Sequence, residues 1–188
     1  MNRLLRVLAV AAALLAAACA ELTARAPNAR VEFEFAARFA ARYRDEAASG
    51  QLAWRHARAA DEVLISSPLG QGLARVTRRG SEVTLVTADE KRYTAADAET
   101  LTEQVLGFRL PLAGLADWVR ARPAAGSPAH STYAEDGRLA ALEQHGWRIE
   151  YQAYAAGRPA RMRLLYPGLE LRLAISEWRR TGFPRPGS

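Results

Sequence analysis

The chain has 188 residues, a formal net charge of +6 at pH 7 and a single cysteine. A single cysteine excludes a disulfide framework within the chain and a zinc site built from several cysteines. The positive charge is spread along the sequence without a basic patch interleaved with aromatic residues, so we predict no nucleic-acid partner.

The start of the chain has the pattern of a secretion signal. Arg3 and Arg6 precede an apolar run at residues 7–18, which is too short to cross a bilayer of about 30 Å as a helix. A positive start, a short apolar run and small residues before a break are typical of a cleaved signal peptide. Cys19 follows the small residues directly, which indicates a lipoprotein signal.

We therefore predict a lipoprotein signal peptide at 1–18, lipid attachment at Cys19 and a polar tether at 19–30. The alternative is an ordinary signal peptide cleaved near Ala18, which would leave a free thiol. Ala20 stands where lipoproteins retained in the inner membrane often carry Asp, and this favours the outer membrane with the body facing the periplasm.

Short segments of alternating polarity follow the tether. Alternation is typical of strands with one buried face, and short strands at hairpin spacing form an antiparallel sheet. The segments are 30–43, 51–56, 62–66, 73–78, 83–87 and 92–94.

The turn after the third segment carries an unusual residue. Pro68 presets one backbone angle and Gly70 permits positive φ, which predicts a tight turn. Leu69 stands between them, although hairpin tips are usually polar. A single exposed leucine is ordinary in itself, so the turn alone does not separate a surface residue from a functional one.

The alternation then gives way to helical spacing. Apolar residues at 98–106 predict one short helix, and a second opens at Pro111 and stops before Pro123. Two short amphipathic helices in an otherwise β chain must cover one face of the sheet. After a loop at 123–130, strands resume with a hairpin signal at Asp136-Gly137, and alternating segments follow at 146–151, 162–164 and 169–175.

No internal repeat and no domain boundary interrupt this pattern. We predict one domain at 31–180, mainly β with short helices (α+β), and a disordered tail at 181–188 that contains two prolines.

Catalytic and metal motifs are missing from the sequence. His56, His130 and His145 lie far apart without metal-ligand spacing, and no nucleophile motif or phosphate-binding loop is present. We therefore predict no catalytic residue, no metal and no cofactor, and interpret the chain as a protein that is not an enzyme. A hydrolase is the remaining enzymatic alternative.

Several segments carry a resemblance that covers most of residues 35–178. They are Leu52-Ala53-Trp54, Ser67-Pro68-Leu69-Gly70-Gln71, Leu115-Ala116-Asp117-Trp118-Val119, Gln144-His145-Gly146-Trp147 and Glu177-Trp178, together with the lipobox-like Cys19. In this order and spacing they resemble the LolB family of outer-membrane lipoprotein receptors.

The resemblance implies a half-open antiparallel β-barrel of the LolA/LolB type, with a helical lid over an apolar cavity. It implies a monomeric receptor, anchored to the outer membrane through Cys19, that accepts lipoproteins from a soluble, LolA-like periplasmic carrier. The acyl chains of the cargo would enter the cavity before insertion into outer-membrane lipid. The family's protruding loop, which acts on the membrane, corresponds here to Pro68, Leu69 and Gly70.

The predicted cavity wall consists of apolar residues in phase with the buried face. They are Leu52, Trp54, Leu64, Leu85, Trp118, Trp147, Ile149 and Tyr151. For each of them the alternative is an ordinary filled core. For the whole protein the alternative is an envelope lipoprotein that binds another amphiphile or acts as a structural scaffold.

Overall fold

The computed structural model describes residues 30–106 and 109–179. Four predictions concern residues outside this part of the chain: the signal peptide at 1–18, lipid attachment at Cys19, all but the last residue of the tether at 19–30, and the tail at 181–188.

Eleven strands and two short helices are present in the described residues. The strands are β1 (Val31–Tyr43), β2 (Glu46–Ala57), β3 (Ala60–Ser66), β4 (Gly72–Arg79), β5 (Glu82–Thr87), β6 (Arg92–Ala95), β7 (His130–Tyr133), β8 (Leu139–Gln144), β9 (Trp147–Ala155), β10 (Arg158–Tyr166) and β11 (Leu169–Arg179). The helices α1 (Ala98–Leu106) and α2 (Leu112–Trp118) lie between β6 and β7 in the chain.

The strands form one open antiparallel sheet in the order β6-β5-β4-β3-β2-β1-β11-β10-β9-β8-β7. Strands β1–β6 and strands β7–β11 each form a meander, and the pairing of β1 with β11 joins the two. The fold class predicted from the sequence, mainly β and antiparallel with two short helices, is confirmed.

The sequence underestimated two parts of this sheet. Strand β2 begins at Glu46 rather than residue 51, because residues 46–50, Glu-Ala-Ala-Ser-Gly, give no alternation of apolar and polar side chains. Strand β7 begins at His130, the last residue of the predicted loop at 123–130, and its residues are mostly exposed, so no apolar period marks it.

Because neighbouring strands are antiparallel, the turns β1–β2, β3–β4, β5–β6, β8–β9 and β10–β11 all lie at one end of the sheet. We call it the Leu69 end, since residues 67–71 form its β3–β4 turn. The β1–β2 hairpin extends past β3 there, because Ser66 of β3 pairs with Gln51 while β2 continues back to Glu46.

One face of the sheet, the inner face, carries the hydrophobic core. Phe33, Phe35 and Trp54 form an aromatic cluster on β1 and β2, with ring centroids 5.2 to 5.8 Å apart. Ile149 on β9 and Leu164 on β10 continue the buried surface.

Both helices contribute to this core. Asp97 caps α1 by accepting a hydrogen bond from the Thr100 amide at 2.7 Å, and Leu101 of α1 is buried. Helix α1 lies against β5 and β6.

Candidate functional site

Helix α2 is packed deeply into the core. The Trp118 side chain is completely buried, with 0% of its surface exposed, and its ring centroid lies 6.0 Å from that of Trp147. Leu112 and Leu115 of the same helix are also buried. Because the whole Trp118 side chain is buried against the inner face, the amphipathic helix packs tightly on that face.

Gln144, the last residue of β8, connects the sheet to α2 and to the loop that follows it. Its side-chain oxygen accepts hydrogen bonds from the Trp118 indole nitrogen at 2.9 Å and from the Ala124 amide at 2.8 Å. Its side-chain nitrogen donates to the carbonyls of Ala124 and Ser127, at 2.9 and 3.1 Å. One buried amide thereby satisfies four polar groups that would otherwise lack partners.

Tyr151 makes a second hydrogen bond to the same helix. Its hydroxyl donates to the Trp118 carbonyl at 2.9 Å. Burial raises the pKa of Tyr151 strongly, so the phenol keeps its proton and remains a donor. The sequence marked Tyr151 and Trp118 as apolar wall residues and missed this polar contact between them.

Arg120, just after α2, holds the C-terminal end of the helix against β1. Its guanidinium bonds Glu32 at 2.7 Å and Asp117 at 2.9 Å, and donates to the Ala116 carbonyl at 2.7 Å. It also lies 5.3 Å from the Phe33 ring centroid. The hydrogen bond from Arg120 is the main reason why the pKa of Glu32 is lowered.

A buried polar cluster on β2, β3 and β4 adjoins this ion pair. Asp61 accepts hydrogen bonds from the Trp54 indole at 2.8 Å and from Arg78 at 2.5 Å, and lies 2.6 Å from the His56 ring. Burial favours the neutral acid, but the bonds from His56, Trp54 and Arg78 outweigh it and lower the pKa of Asp61. The His56 Nε2 atom also lies 3.9 Å from Glu32. The sequence had left His56 without a partner.

Most of the predicted wall residues share the inner face. Trp54, Leu85, Trp118, Trp147, Ile149 and Tyr151 are buried there. Leu52 is partly buried and packs against the same core. In this conformation side chains and helices fill the space that the wall residues surround, so they form a closed core.

Leu64 is a correction to that set. Val63 pairs with Trp54 and faces inward, which directs the next residue, Leu64, to the outer face opposite Arg75. Its side chain is 38% exposed. The sequence was ambiguous here because Val63, Leu64 and Ile65 are consecutive apolar residues, and only the pairing with β2 fixes the phase.

A cleft of about 520 Å³ opens between α2 and the β8–β9 hairpin. Pro111 and Gly114 line its helical side, and Trp147 and Tyr166, stacked at a centroid distance of 5.0 Å, line the sheet side. The cleft reaches His145 in the β8–β9 turn, so it lies at the Leu69 end.

The β3–β4 turn is well ordered by hydrogen bonds. The Ser67 amide donates to the Gln71 carbonyl at 2.8 Å, and Gln51 of β2 donates to the Pro68 carbonyl at 3.0 Å. Gly70 has φ +87°, as the sequence led us to expect. Leu69 is 94% exposed at the tip, and its role at a membrane stays a prediction.

Within residues 30–106 and 109–179, no group of three or more His, Cys, Asp or Glu side chains is placed to hold a metal ion. No helix in the described part of the chain has the length and apolar character needed to cross a membrane.

Comparison with known proteins gives consistent results. Residues 31–178 match the family model for the outer membrane lipoprotein LolB. The chain is 42% identical to the outer-membrane lipoprotein LolB of Thiobacillus denitrificans over 134 residues, which are 71% of this chain and 72% of that protein. It is 37% identical to that of Azoarcus sp. over 186 residues, 94% of this chain and 96% of the relative. Among solved structures, a LolA superfamily protein from Nitrosomonas europaea is similar, with a TM-score of 0.49 and 12% identity over 85% of this chain and 90% of that one.

Proposed function

The chain belongs to the LolB family of outer-membrane lipoproteins, and on that premise we propose that its inner face receives the acyl chains of lipoproteins in transit. The protein is an outer-membrane lipoprotein receptor that inserts its cargo into that membrane. The cargo is held between the sheet and helix α2.

The burial of Trp118 of α2 against the inner face carries this proposal. An acyl chain of about sixteen carbons gains about 0.8 kcal/mol for each CH₂ that leaves water, or roughly 10 kcal/mol in total. A lipidated protein therefore needs an apolar cover in an aqueous compartment. A short helix over an apolar sheet face supplies such a cover, and an entering chain would take the place of its apolar side chains.

Opening requires few polar contacts to break. Trp118 is hydrogen-bonded to Gln144 and Tyr151, and Arg120 is paired with Glu32. Each such bond is worth roughly 1 kcal/mol net. The larger cost is exposure of the apolar helix face, and an acyl chain that occupies the inner face offsets it. We assign the cleft beside α2, with Trp147 and Tyr166 on its wall, as the entrance for the acyl chain of the cargo.

We assign the remaining roles as follows. Cys19 carries the lipid anchor, and a soluble, LolA-like periplasmic carrier hands over the cargo to a monomeric receptor. Leu69, which protrudes from the β3–β4 turn, enters the bilayer. A buried leucine contributes about 1.5–3 kcal/mol, which is enough to orient the body and too little to anchor it.

A transfer assay with a soluble form that begins at Ala20 tests this function. Every described strand, both helices and the core lie within 31–179, so this form keeps the folding unit. It is mixed with a carrier loaded with a radiolabelled lipoprotein, and liposomes are then added. We expect label to move first to the receptor and then to the liposomes.

A matched variant ties the result to the inner face. Ile149→Asp places a charge in the wall, whereas Gln152→Asp places one on the exposed side of the same strand. Uptake should be lost only in the first variant, provided both are folded. A folded wild-type protein that takes up no label would instead favour a structural scaffold.

A further inference from the structure

Three exposed leucines lie close together on β3, β4 and the turn between them. The exposed fractions are 38% for Leu64, 94% for Leu69 and 43% for Leu73. Leu64 faces outward because its neighbour Val63 faces inward. Leu73 faces outward with Arg75, two residues further along β4. The exposed apolar surface thus continues from the turn onto the outer face of the sheet.

The strand register extends this surface across the sheet. Leu64 pairs with Arg75, Arg75 pairs with Val86 of β5, and Val86 pairs with Arg92 of β6. Apolar and basic side chains therefore alternate along one row of the outer face. We call Leu64, Leu73, Val86, Arg75 and Arg92 the outer patch.

Arginine side chains lie within the outer patch and beside it. Arg75 is partly offset by Glu62, at 3.1 Å. Arg92 is exposed at the edge of the sheet, and Arg38 is exposed on β1, where Gln51 and Ala174 are its pairing neighbours. Gln51 also contacts the Leu69 turn, so Arg38 flanks that turn.

The outer face of the other meander has a different character. Glutamate and arginine alternate there in a continuous chain of ion pairs, with atoms 2.6 to 3.6 Å apart: Glu143–Arg148, Arg148–Glu150, Glu150–Arg163, Arg163–Glu170 and Glu170–Arg172. Bonds from Arg163 and Arg172 lower the pKa of Glu170 to about 2. Each of these charges has its partner within the protein, as expected for a face that stays in water.

We propose that the outer patch is a membrane-contact surface, which lies against a bilayer containing anionic phospholipid with Leu69 at its leading edge. Clustered exposed leucines mark an interaction surface, and basic residues beside them are attracted to anionic headgroups. The surface is continuous with the Leu69 turn, for which membrane contact is already proposed, and the inference rests on that function. It gives the body a defined tilt in which strands β3–β6 of the sheet face the lipid.

Vesicle binding by the soluble form that begins at Ala20 tests the inference. Two kinds of vesicle are used: phosphatidylethanolamine with phosphatidylcholine, and the same lipids with phosphatidylglycerol added. We expect the double variant Leu64→Glu/Leu73→Glu to bind both kinds at least about tenfold more weakly than the wild type. Tyr133→Glu is the control, because Tyr133 is 62% exposed but lies at the opposite end of the sheet, and it should bind normally.

A second pair of variants tests the basic component. In Arg38→Gln/Arg92→Gln, the ratio of affinities for vesicles with and without phosphatidylglycerol should fall by about fivefold for each arginine removed. Arg58→Gln/Arg79→Gln removes the same charge from exposed positions at the opposite end of the sheet and should keep that ratio. All variants replace exposed residues, so unchanged unfolding midpoints are expected.

Equal vesicle binding by the wild type and the leucine double variant would overturn the inference. An equal loss of vesicle binding in the Tyr133→Glu control would also overturn it. If the leucine double variant lost carrier binding but kept vesicle binding, the patch would instead be a protein-docking surface. Uptake of cargo from the carrier involves no membrane and is measured on the same proteins. If only the membrane-contact inference is wrong, the wild type still takes up cargo from the carrier. If the proposed receptor function is wrong, the wild type takes up none.

Discussion

The indole nitrogen of Trp118 donates a hydrogen bond to the side chain of Gln144 at 2.9 Å, across 26 positions of the sequence. Trp118 ends helix α2, and Gln144 ends strand β8. The same amide binds the backbone of Ala124 and Ser127 in the loop after α2. One buried side chain of the sheet therefore joins the end of the helix to the loop that follows it.

Replacing that side chain should destabilise the whole domain. Gln144→Leu keeps the approximate volume but leaves the Trp118 indole, the Ala124 amide and two carbonyls without their partner. An unsatisfied buried polar group costs about 1–3 kcal/mol. Since the surrounding loop relaxes partly, we expect the free energy of unfolding to fall by about 2–4 kcal/mol, measured by urea denaturation.

Gln152→Leu is the matched control, because Gln152 is exposed on the neighbouring strand β9. We expect a change within about 0.5 kcal/mol. Similar losses in the two variants would show that the hydrogen bonds of Gln144 contribute little.

Acid should weaken the domain through Asp61 and Glu32. Both carboxyls have pKa values lowered in the folded state. Their contribution is therefore complete above the unfolded carboxyl pKa of about 4 and is lost as the pH falls through the lower folded values. We expect a constant free energy of unfolding between pH 7 and about 5, and a decline below about 4.

The variant Asp61→Asn distinguishes the contribution of Asp61 to acid stability from that of Glu32. It leaves Arg78 without its carboxylate, so we expect a loss of about 3 kcal/mol at pH 7 and a shallower decline in acid, measured by urea titrations at several pH values. An unchanged acid slope would mean that Asp61 does not contribute to it.

The sequence predicted both helices and most of the strands because their apolar residues recur with the helical or the strand period, which the start of β2 and strand β7 lack. It predicted the exposure of the Leu69 turn because Pro68 and Gly70 set the backbone locally. Leu64 was misplaced because its direction depends on pairing between β2 and β3, which a run of apolar residues does not encode. The roles of Gln144 and Arg120 were missed for a related reason: their partners are distant in the chain.

Of the two glycines Gly50 and Gly72 near the Leu69 turn, Gly50 should tolerate substitution by alanine less well. A Cβ atom there would stand 2.2 Å from the Ser66 carbonyl, and backbone cannot move aside cheaply. We expect Gly50→Ala to destabilise the domain by about 2 kcal/mol or more in urea denaturation. Gly72→Ala is the control, since a Cβ there meets nothing within 4 Å. Equal effects would contradict the close approach of β2 and β3.

Leu69→Glu should separate uptake from delivery. The side chain is 94% exposed, so the fold and cargo uptake should be unchanged. Because a charge replaces the apolar tip, transfer of a labelled lipoprotein to liposomes should slow by about tenfold or more. Tyr133→Glu, equally a loss of an exposed apolar group, should transfer at the normal rate. Normal delivery by the Leu69 variant would remove the role proposed for this residue.

The ion pair between Arg120 and Glu32 should restrain the opening of α2. Glu32 is partly exposed, so the pair is worth only about 1 kcal/mol. If closed protein predominates, Arg120→Gln or Glu32→Gln should make the apparent Kd for a fluorescent fatty acid about fivefold lower, because less of the binding energy is used to open the helix. The double variant should show no further gain, since either change alone breaks the pair. Arg179→Gln breaks a comparable pair with Glu34 away from α2 and should leave the Kd unchanged. Additive effects of the two changes, or an equal effect in the control, would mean that fatty-acid entry does not depend on this contact.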